Sequence, residues 1–100
     1  MLNTEFKQAV ATTLLAIPSG KVIAYGQLAS LAGFPGYHRQ VAKHLQSLPN
    51  GEKLPWFRVV RADGSIAFPV DSEMFRRQKQ HLVDEGIVFK NNKVPKRFFY

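Results

Sequence analysis

Trp56 has the side chain of greatest chemical interest, and it lies in the run Pro55-Trp56-Phe57-Arg58-Val59. An indole offers a broad aromatic face and one N–H donor, so it can stack on a planar ligand but supplies no nucleophile. The chain contains no cysteine, which excludes disulfides, thiolate catalysis and zinc sites of the cysteine type. The chain therefore has no thiol chemistry, and by residue type alone Trp56 is either a core residue or a stacking surface for a planar ligand.

Composition predicts one basic domain. The 100 residues are 45% hydrophobic, enough for one core, and we expect a single domain over residues 1–100. Fourteen Lys and Arg against seven Asp and Glu give a net charge of +7, which favours polyanionic partners such as nucleic acid, although ribosomal and membrane-surface proteins are also basic. Neither a membrane span nor a signal peptide is recognisable, so we expect a soluble, cytoplasmic protein without a membrane partner.

Apolar side chains at intervals of three and four predict a first helix over residues 3–17, whose start Asn3 or Thr4 can cap. Two shorter helices are predicted over 25–32 and 37–48, joined by a turn rich in Gly and Pro. The inward-facing residues of these two helices are predicted to be Leu28, Leu31, Val41, Leu45 and Leu48. Two short helices joined in this way are typical of the helix-turn-helix motif, whose second helix meets DNA.

The pattern changes after residue 53 to short extended segments. Segments 56–61 and 65–70 flank Ala62-Asp63-Gly64, and an Asp-Gly turn between two such segments predicts a β-hairpin, the wing of a winged-helix domain. Together with the helices, this predicts an α+β fold that is mostly helical, a single winged helix-turn-helix-like domain.

A fourth helix is predicted from the cap Asp71-Ser72 to about Asp84, with Gly86 as its terminator. Its partly buried face would consist of Met74, Phe75, Gln78, Leu82 and Val83. The tail over 87–100 has four cations, Lys90, Lys93, Lys96 and Arg97. They form either a solvated surface or an extension of a DNA-binding surface, and the sequence leaves both interpretations open.

Two stretches resemble the O6-alkylguanine-DNA alkyltransferases, which take an alkyl group from damaged guanine onto a cysteine. Residues 20–29 are similar to that family's Gly-x-Val-x-x-Tyr-x-x-Leu-Ala, and residues 55–59 are similar to its Pro-Cys-His-Arg-Val. Trp56 stands in place of the reactive cysteine, and Phe57 in place of the histidine that relays its proton. The resemblance covers residues from about 3 to 85. Because the nucleophile and its base are both replaced, the chain resembles the alkyltransferase-like proteins.

The resemblance implies roles for individual residues. Tyr25 would press on the phosphate beside the lesion and Arg39, fourteen positions later, would fill the gap left by the extruded base. The implied DNA-binding residues are Tyr25, Arg39, Gln40 and Lys43. The implied lesion pocket is lined by Tyr25, Pro55, Trp56, Phe57, Arg58, Val59, Phe68 and Pro69. In this family the recognition helix enters the minor groove, and an arginine serves there because its planar guanidinium both stacks and donates hydrogen bonds.

The function implied is a non-enzymatic sensor that binds O6-alkylguanine in double-stranded DNA, flips it, and directs it to nucleotide excision repair proteins. It would act as a monomer, with no catalytic residue, metal or cofactor. Two alternatives remain. The first is a winged-helix transcription regulator whose third helix reads the major groove and whose Trp56 is core. The second is a glycosylase or hydrolase with another nucleophile, and the sequence disfavours it because no carboxylate lies within three positions of Trp56. An isolated Trp is more often core packing and an isolated Arg is more often solvated.

Overall fold

The computed structural model describes residues 2–47 and 53–100. Over these residues the fold is a small α+β domain with four α-helices and a two-stranded sheet, so the predicted fold class is confirmed. The elements are α1 (Leu2–Leu15), β1 (Ile23–Ala24), α2 (Tyr25–Leu31), α3 (His38–Gln46), β2 (Val59–Val60) and α4 (Glu73–Asp84), with 3₁₀ turns at Trp56–Arg58 and Lys96–Phe98. None of the helices in these two segments is long and apolar enough to cross a membrane.

Helices α2 and α3 form the predicted helix-turn-helix. The turn between them contains Gly33 and Gly36, whose φ angles of +94° and +87° disfavour residues with a β-carbon. Val41 and Leu45 face the core as predicted, but Leu31 is 54% exposed because α2 ends at it, and Ala29 takes the buried place beside Leu28. The predicted burial of Leu48 lies outside the described residues.

Helix α1 begins at Leu2, so Thr4 lies inside its first turn rather than at its cap, and the helix ends at Leu15. Its apolar face, together with α2, α3 and both strands, builds the first hydrophobic cluster, whose buried members are Phe6, Val10, Leu14, Ile17, Ile23, Leu28, Ala29, Val41, Leu45 and Val59. The ring of Phe6 contacts Phe34 edge to face at 5.1 Å, and Phe34 contacts Tyr37 at 5.7 Å. Helix α1 is thereby packed against the turn that precedes α3.

The predicted β-hairpin is replaced by a different pairing. Strand β2 pairs in parallel with β1, in the register Ile23↔Val59 and Ala24↔Val60. The Asp63-Gly64 turn does form, since the Gly64 amide donates to the Arg61 carbonyl at 2.8 Å, but segment 65–70 is not a strand and Ser65 forms only an isolated bridge with Lys93. The sequence pattern was wrong here because the partner of β2 lies far earlier in the chain.

The tail packs against β1 and α4 in a second hydrophobic cluster, made of Val22, Val60, Leu82, Ile87 and Val94 with the rings of Phe57, Phe89, Phe98 and Phe99. Backbone hydrogen bonds join the tail to Val22, the residue before β1: the Val22 amide donates to the Phe98 carbonyl and the Tyr100 amide donates to the Val22 carbonyl, at 2.9 and 2.7 Å. Helix α4 is capped by Ser72, whose hydroxyl accepts from the Phe75 amide at 3.1 Å, as predicted. Of its predicted buried face, Val83 is exposed.

Candidate functional site

Helix α3 presents a polar, basic face. His38, Arg39, Gln40 and Lys43 are exposed, while the buried residues of the helix face the first cluster. No hydrogen bond or ion pair joins the Arg39 guanidinium to residues 2–47 or 53–100. An unpaired guanidinium in the first turn of an exposed helix is available to a ligand, and its planar shape suits stacking as well as hydrogen bonding.

Tyr25 is the first residue of α2, and its neighbour Gly26 lies against the start of α3. A β-carbon at Gly26 would lie 4.0 Å from that of His38, so the two helix starts are adjacent and bring Tyr25 and Arg39 to one side of the domain. Burial of the Tyr25 phenol raises its pKa, and the nearby Arg61 guanidinium opposes that shift. The phenol therefore stays protonated at neutral pH and can donate a hydrogen bond.

Trp56 lies in the 3₁₀ turn Trp56–Arg58 and is only partly buried. One side of its indole packs on the first cluster. Three rings meet it edge to face, with centroid distances of 5.9 Å to Phe57, 6.4 Å to Phe68 and 5.9 Å to His81. Edge-to-face packing fixes the plane of an aromatic ring without covering its whole face. The indole is thus held in one orientation while part of it remains open.

A groove of about 540 Å³ runs beside Trp56. Its lining combines apolar and cationic side chains, namely Leu15, Lys53, Leu54, Pro55, Trp56, Phe57, Arg58, Arg77 and His81. The His81 imidazole stacks on the Phe57 ring, with centroids 4.4 Å apart and planes 12° apart. The groove is large enough for a nucleobase, and aromatic and cationic walls are the surfaces on which bases stack.

Two side chains hold the Trp56 turn in place. Arg58 forms an ion pair with Glu85 at 2.5 Å and donates to the Ile17 carbonyl at 2.8 Å, so it joins α1, the turn and the end of α4. Gln78, which is buried, donates to the carbonyls of Phe57 and Val59 at 3.0 and 2.9 Å. The turn is therefore rigid, because its backbone and its arginine are both bound to neighbouring elements.

The ion pair with Arg58 helps to lower the pKa of the Glu85 carboxyl group. Burial by itself would raise the pKa of Glu85, but hydrogen bonds from Arg58 and Gly20 and the charge of Arg58 outweigh it, so the pKa lies below its usual value. Glu85 is thus ionised at neutral pH and keeps Arg58 occupied. The sequence predicted Arg58 as a pocket residue but gave no sign of its partner.

The residues predicted to line the lesion pocket do not all lie in one groove. Pro55 and Val59 are buried, and Val59 belongs to the core through β2. Phe68 and Pro69 line a second groove, of about 380 Å³, which also contains Arg61 and Lys93. Trp56 touches both regions through its contact with Phe68. Among described residues, no group of three or more His, Asp or Glu side chains is placed to hold a metal ion.

Sequence reasoning missed two contributors to this site. Gln78 was predicted to be part of a helix face, and only the structure shows that it organises the Trp56 turn. His81 is exposed, but its ring stacks on Phe57 and lines the groove beside Trp56. Its position one helical turn after Arg77 is the only sequence signal that could have placed both on one side of α4.

Comparisons with known proteins agree on one family. Residues 5–87 match the family described as 6-O-methylguanine DNA methyltransferase, DNA binding domain. A DNA base-flipping protein of Vibrio parahaemolyticus is 46% identical over 83 residues, covering 83% of this chain and 81% of that protein. A DNA base-flipping protein of Escherichia coli is 43% identical over 83 residues, and the chain spans 63% of its length.

A solved structure extends the similarity to the whole fold. The crystal structure of S. pombe Atl1 in complex with damaged DNA containing O6-carboxymethylguanine superposes with a TM-score of 0.89 and 31% identity. The alignment covers 100% of this chain and 98% of that chain. The tail beyond residue 87, which lies outside the family match, is therefore included in the structural similarity.

Proposed function

Because this chain belongs to the family of the 6-O-methylguanine DNA methyltransferase DNA-binding domain, we propose that it is a non-enzymatic sensor of O6-alkylguanine in duplex DNA. It binds the damaged duplex, turns the lesion out of the stack and transfers no alkyl group. The observation that carries the proposal is the replacement of a cysteine by the partly open, rigidly held Trp56 in a chain without any cysteine.

The role of α3 in this mechanism is to enter the duplex. Extruding a nucleotide costs a few kcal/mol of stacking and pairing, less where alkylation has already weakened the pair. The exposed Arg39 fills the space and bonds to the base left behind, while Gln40 and Lys43 on the same face contact the backbone. Tyr25, protonated and beside the start of α3, donates its hydroxyl to the phosphate next to the lesion.

The role of the Trp56 turn is to receive the flipped base. Stacking of a base on an aromatic side chain is worth about 1–3 kcal/mol by alanine substitution, which provides in affinity what the missing cysteine would provide in bond formation. Phe57 stands in place of the histidine that relays a proton in the alkyltransferases, and its ring has no group that accepts one. The His81 imidazole lies beside both rings, but the chain offers it no thiol to deprotonate. No chemical step therefore releases the protein from the lesion.

A protein that stays bound to the lesion without repairing it requires a partner that removes the lesion from the DNA. We propose that the protein acts as a monomer in the cytoplasm and marks the lesion for nucleotide excision repair proteins. The support is chemical: a sensor that cannot repair must pass its substrate on, and excision is the repair chemistry that does not depend on the alkyl group's identity.

The test is incubation with duplex DNA that carries a labelled O6-methyl group, run beside a binding titration against the matched undamaged duplex. The proposal expects tight, selective binding with all label remaining on the DNA. Label on the protein would refute the non-enzymatic assignment. Equal affinity for the two duplexes would refute lesion recognition and would favour a transcription regulator.

The excision step has its own test. A reconstituted excision repair reaction on O6-methylguanine duplex should incise more DNA when the protein is added, and a true alkyltransferase added to the same complex should repair more slowly because both need the same flipped base. Unchanged incision at saturating protein would contradict the hand-over while leaving lesion binding intact.

A further inference from the structure

The parallel register of the sheet places a cation beside Tyr25. Ala24 pairs with Val60, so the residues that follow, Tyr25 and Arg61, leave the sheet side by side. The electrostatic influence of Arg61 on the Tyr25 phenol agrees with this placement. Arg61 is exposed, and within residues 2–47 and 53–100 its guanidinium forms one hydrogen bond, a long one of 3.4 Å to the Ala67 carbonyl.

The tail adds two more cations next to Arg61. Ser65 bridges Lys93, and the Val94 amide donates to the Gly64 carbonyl at 2.9 Å. A β-carbon on Gly64 would collide with the Val94 backbone, so the tail can approach this closely only because residue 64 is a glycine. The turn that carries Lys90 and Lys93 is therefore attached firmly to the turn that carries Arg61.

That tail turn is itself rigid. Lys90 and Lys93 exchange backbone hydrogen bonds of 2.9 and 3.0 Å, and the two residues between them, Asn91 and Asn92, have φ angles of +53° and +60°. Two consecutive left-handed residues are the requirement of a tight type I′ turn. A solvated tail would need no such geometry, whereas pre-ordered cations lose less entropy when they bind.

The charges on this surface are poorly neutralised. Lys93 pairs with Asp63 at 3.5 Å in an exposed pair, and the Lys90 ammonium has no ion-pair partner among residues 2–47 and 53–100. No Asp or Glu follows Glu85 in the sequence. Arg61 and Lys93 also line the groove of about 380 Å³ in which Phe68 lies, and Phe68 contacts Trp56.

We propose that Arg61, Lys90 and Lys93 form a second DNA contact, which binds the phosphodiester backbone flanking the flipped nucleotide. This inference rests on the proposed function, since it assumes that Tyr25 faces the DNA. Helix α3 and Arg61 each lie next to the start of α2, where Tyr25 is, so they would hold the backbone at two points while the lesion leaves the stack. Phosphate contacts of this kind set register and affinity without reading sequence or damage.

The first experiment measures the salt dependence of binding to an undamaged duplex. Each lost phosphate contact lowers the slope of log K against log salt by about 0.9. The double variant Arg61→Gln/Lys93→Gln should therefore show a slope shallower by about 1.8, with weaker binding by an equal factor on lesion and undamaged duplexes. Thermal unfolding of the variant should be unchanged, because both side chains are exposed.

The matched control is Lys21→Gln/Arg97→Gln, where Lys21 donates to the Arg97 carbonyl. It removes the same charge before the start of β1, whereas Tyr25 and Arg61 follow the ends of β1 and β2. Its slope should equal that of the wild type. Equal slopes for the two double variants would overturn the proposal, since only net charge would then matter. The salt dependence is measured on undamaged DNA, so it tests the phosphate contact independently of lesion recognition. If the wild type showed no lesion preference, the proposed function would fail, but the phosphate contact would still be tested by the slopes.

A second experiment locates the contact on the DNA. Single neutral methylphosphonates, scanned along both strands on either side of the lesion, should weaken wild-type binding at a few adjacent positions. The Arg61→Gln/Lys93→Gln variant should be insensitive at some of those positions and unchanged at the positions contacted by α3. If the variant were as sensitive as the wild type at every position, the basic surface would have no phosphate partner.

Discussion

The two halves of the domain are assembled by different kinds of contact. In residues 4–47, α2 and α3 pack on each other across a short turn, and their packing is local in sequence. In residues 53–100, the Trp56 turn depends on Gln78 and Glu85 of the fourth-helix region, and the tail pairs with Val22. Helix α3, which we propose to contact DNA, is therefore a local structure, while the aromatic groove exists only when distant segments come together.

This difference predicts that the two functions of the site fail separately. Damage to the long-range contacts of the second half should remove lesion selectivity along with stability. Damage to the exposed face of α3 should remove DNA affinity and leave the fold unchanged. Variants at Arg58, Glu85, Trp56 and Arg39 separate these outcomes.

The largest effect is expected for Arg58→Ala, which breaks the contacts joining the two halves. It leaves the carboxylate of Glu85, whose side chain is 13% exposed, without its ion-pair partner. Loss of one partner of a fully buried ion pair costs about 3–5 kcal/mol, and loss from this partly buried pair should lie at or below the lower end of that range. Urea denaturation of the variant should show this loss in the free energy of unfolding.

Lys93→Ala is the control, because it removes one partner of the exposed pair with Asp63, and exposed pairs contribute little. Its unfolding midpoint should be nearly that of the wild type. A similarly small effect for Arg58→Ala would show that the Arg58 contacts do not join the halves.

The same ion pair predicts a pH dependence. The pKa of Glu85 in the folded state lies below the ordinary value of 4.5, so the unfolded chain takes up a proton first as the pH falls. The stability from this group is complete above pH 4.5 and is lost as the pH drops through the lower folded value. The difference in unfolding free energy between wild type and Glu85→Gln should therefore shrink as the pH falls from 6 to 3.

Unfolding titrations of both proteins at several pH values measure this difference. Asp63, whose pKa is lowered to about 2 chiefly by the hydroxyl and amide of Ser65, contributes in the same direction but is present in both proteins and cancels. A difference that grew toward low pH would contradict the ion pair as the source.

Trp56→Ala should combine a moderate loss of stability with a complete loss of lesion preference. Truncating a fully buried Trp costs roughly 3–5 kcal/mol, and the partly exposed Trp56 should cost less. The folded variant should still bind DNA through α3, with a normal dependence on salt. Binding of lesion and undamaged duplexes is measured beside thermal unfolding.

Trp56→Phe is the companion variant, since it keeps an aromatic face and should keep part of the preference. A Trp56→Ala protein that was strongly destabilised yet retained its lesion preference in the folded fraction would make Trp56 a core residue only.

Arg39→Ala should weaken binding to lesion DNA by about 1–3 kcal/mol, the value of a stacking or bidentate contact, without changing the unfolding midpoint. Arg39→Lys should restore little, because an ammonium has no planar face. Lys43→Ala on the same helix removes charge alone and serves as the control. Equal binding by wild type and Arg39→Lys would reduce Arg39 to a phosphate contact.

The sequence predicted the local half of the fold well. The spacing of Val41 and Leu45 identified the buried face of α3, and the cap at Ser72 placed the start of α4. These features depend on neighbours within a few positions, which periodicity and capping rules describe. Leu31 was misplaced because the helix ends there, and helix ends are the least predictable part of a pattern.

The long-range half could not be predicted in the same way. The extended pattern of Val59 and Val60 indicated a strand but not its partner, and the nearby Asp63-Gly64 turn favoured a hairpin that does not form. The ion pair of Arg58 with Glu85 joins residues that no local rule connects. The sequence identified Trp56 as the residue of interest, but the rings that orient it come from its own turn, from segment 65–70 and from α4.

The central claim, that a flipped base stacks on Trp56, can be tested through the intrinsic fluorescence of the protein, because Trp56 is its single tryptophan. At equal saturation, an O6-methylguanine duplex should quench this fluorescence strongly, since a purine then covers the indole, while the undamaged duplex should change it little. Saturation is established independently by the mobility of labelled DNA. Identical fluorescence changes on the two duplexes would contradict the claim.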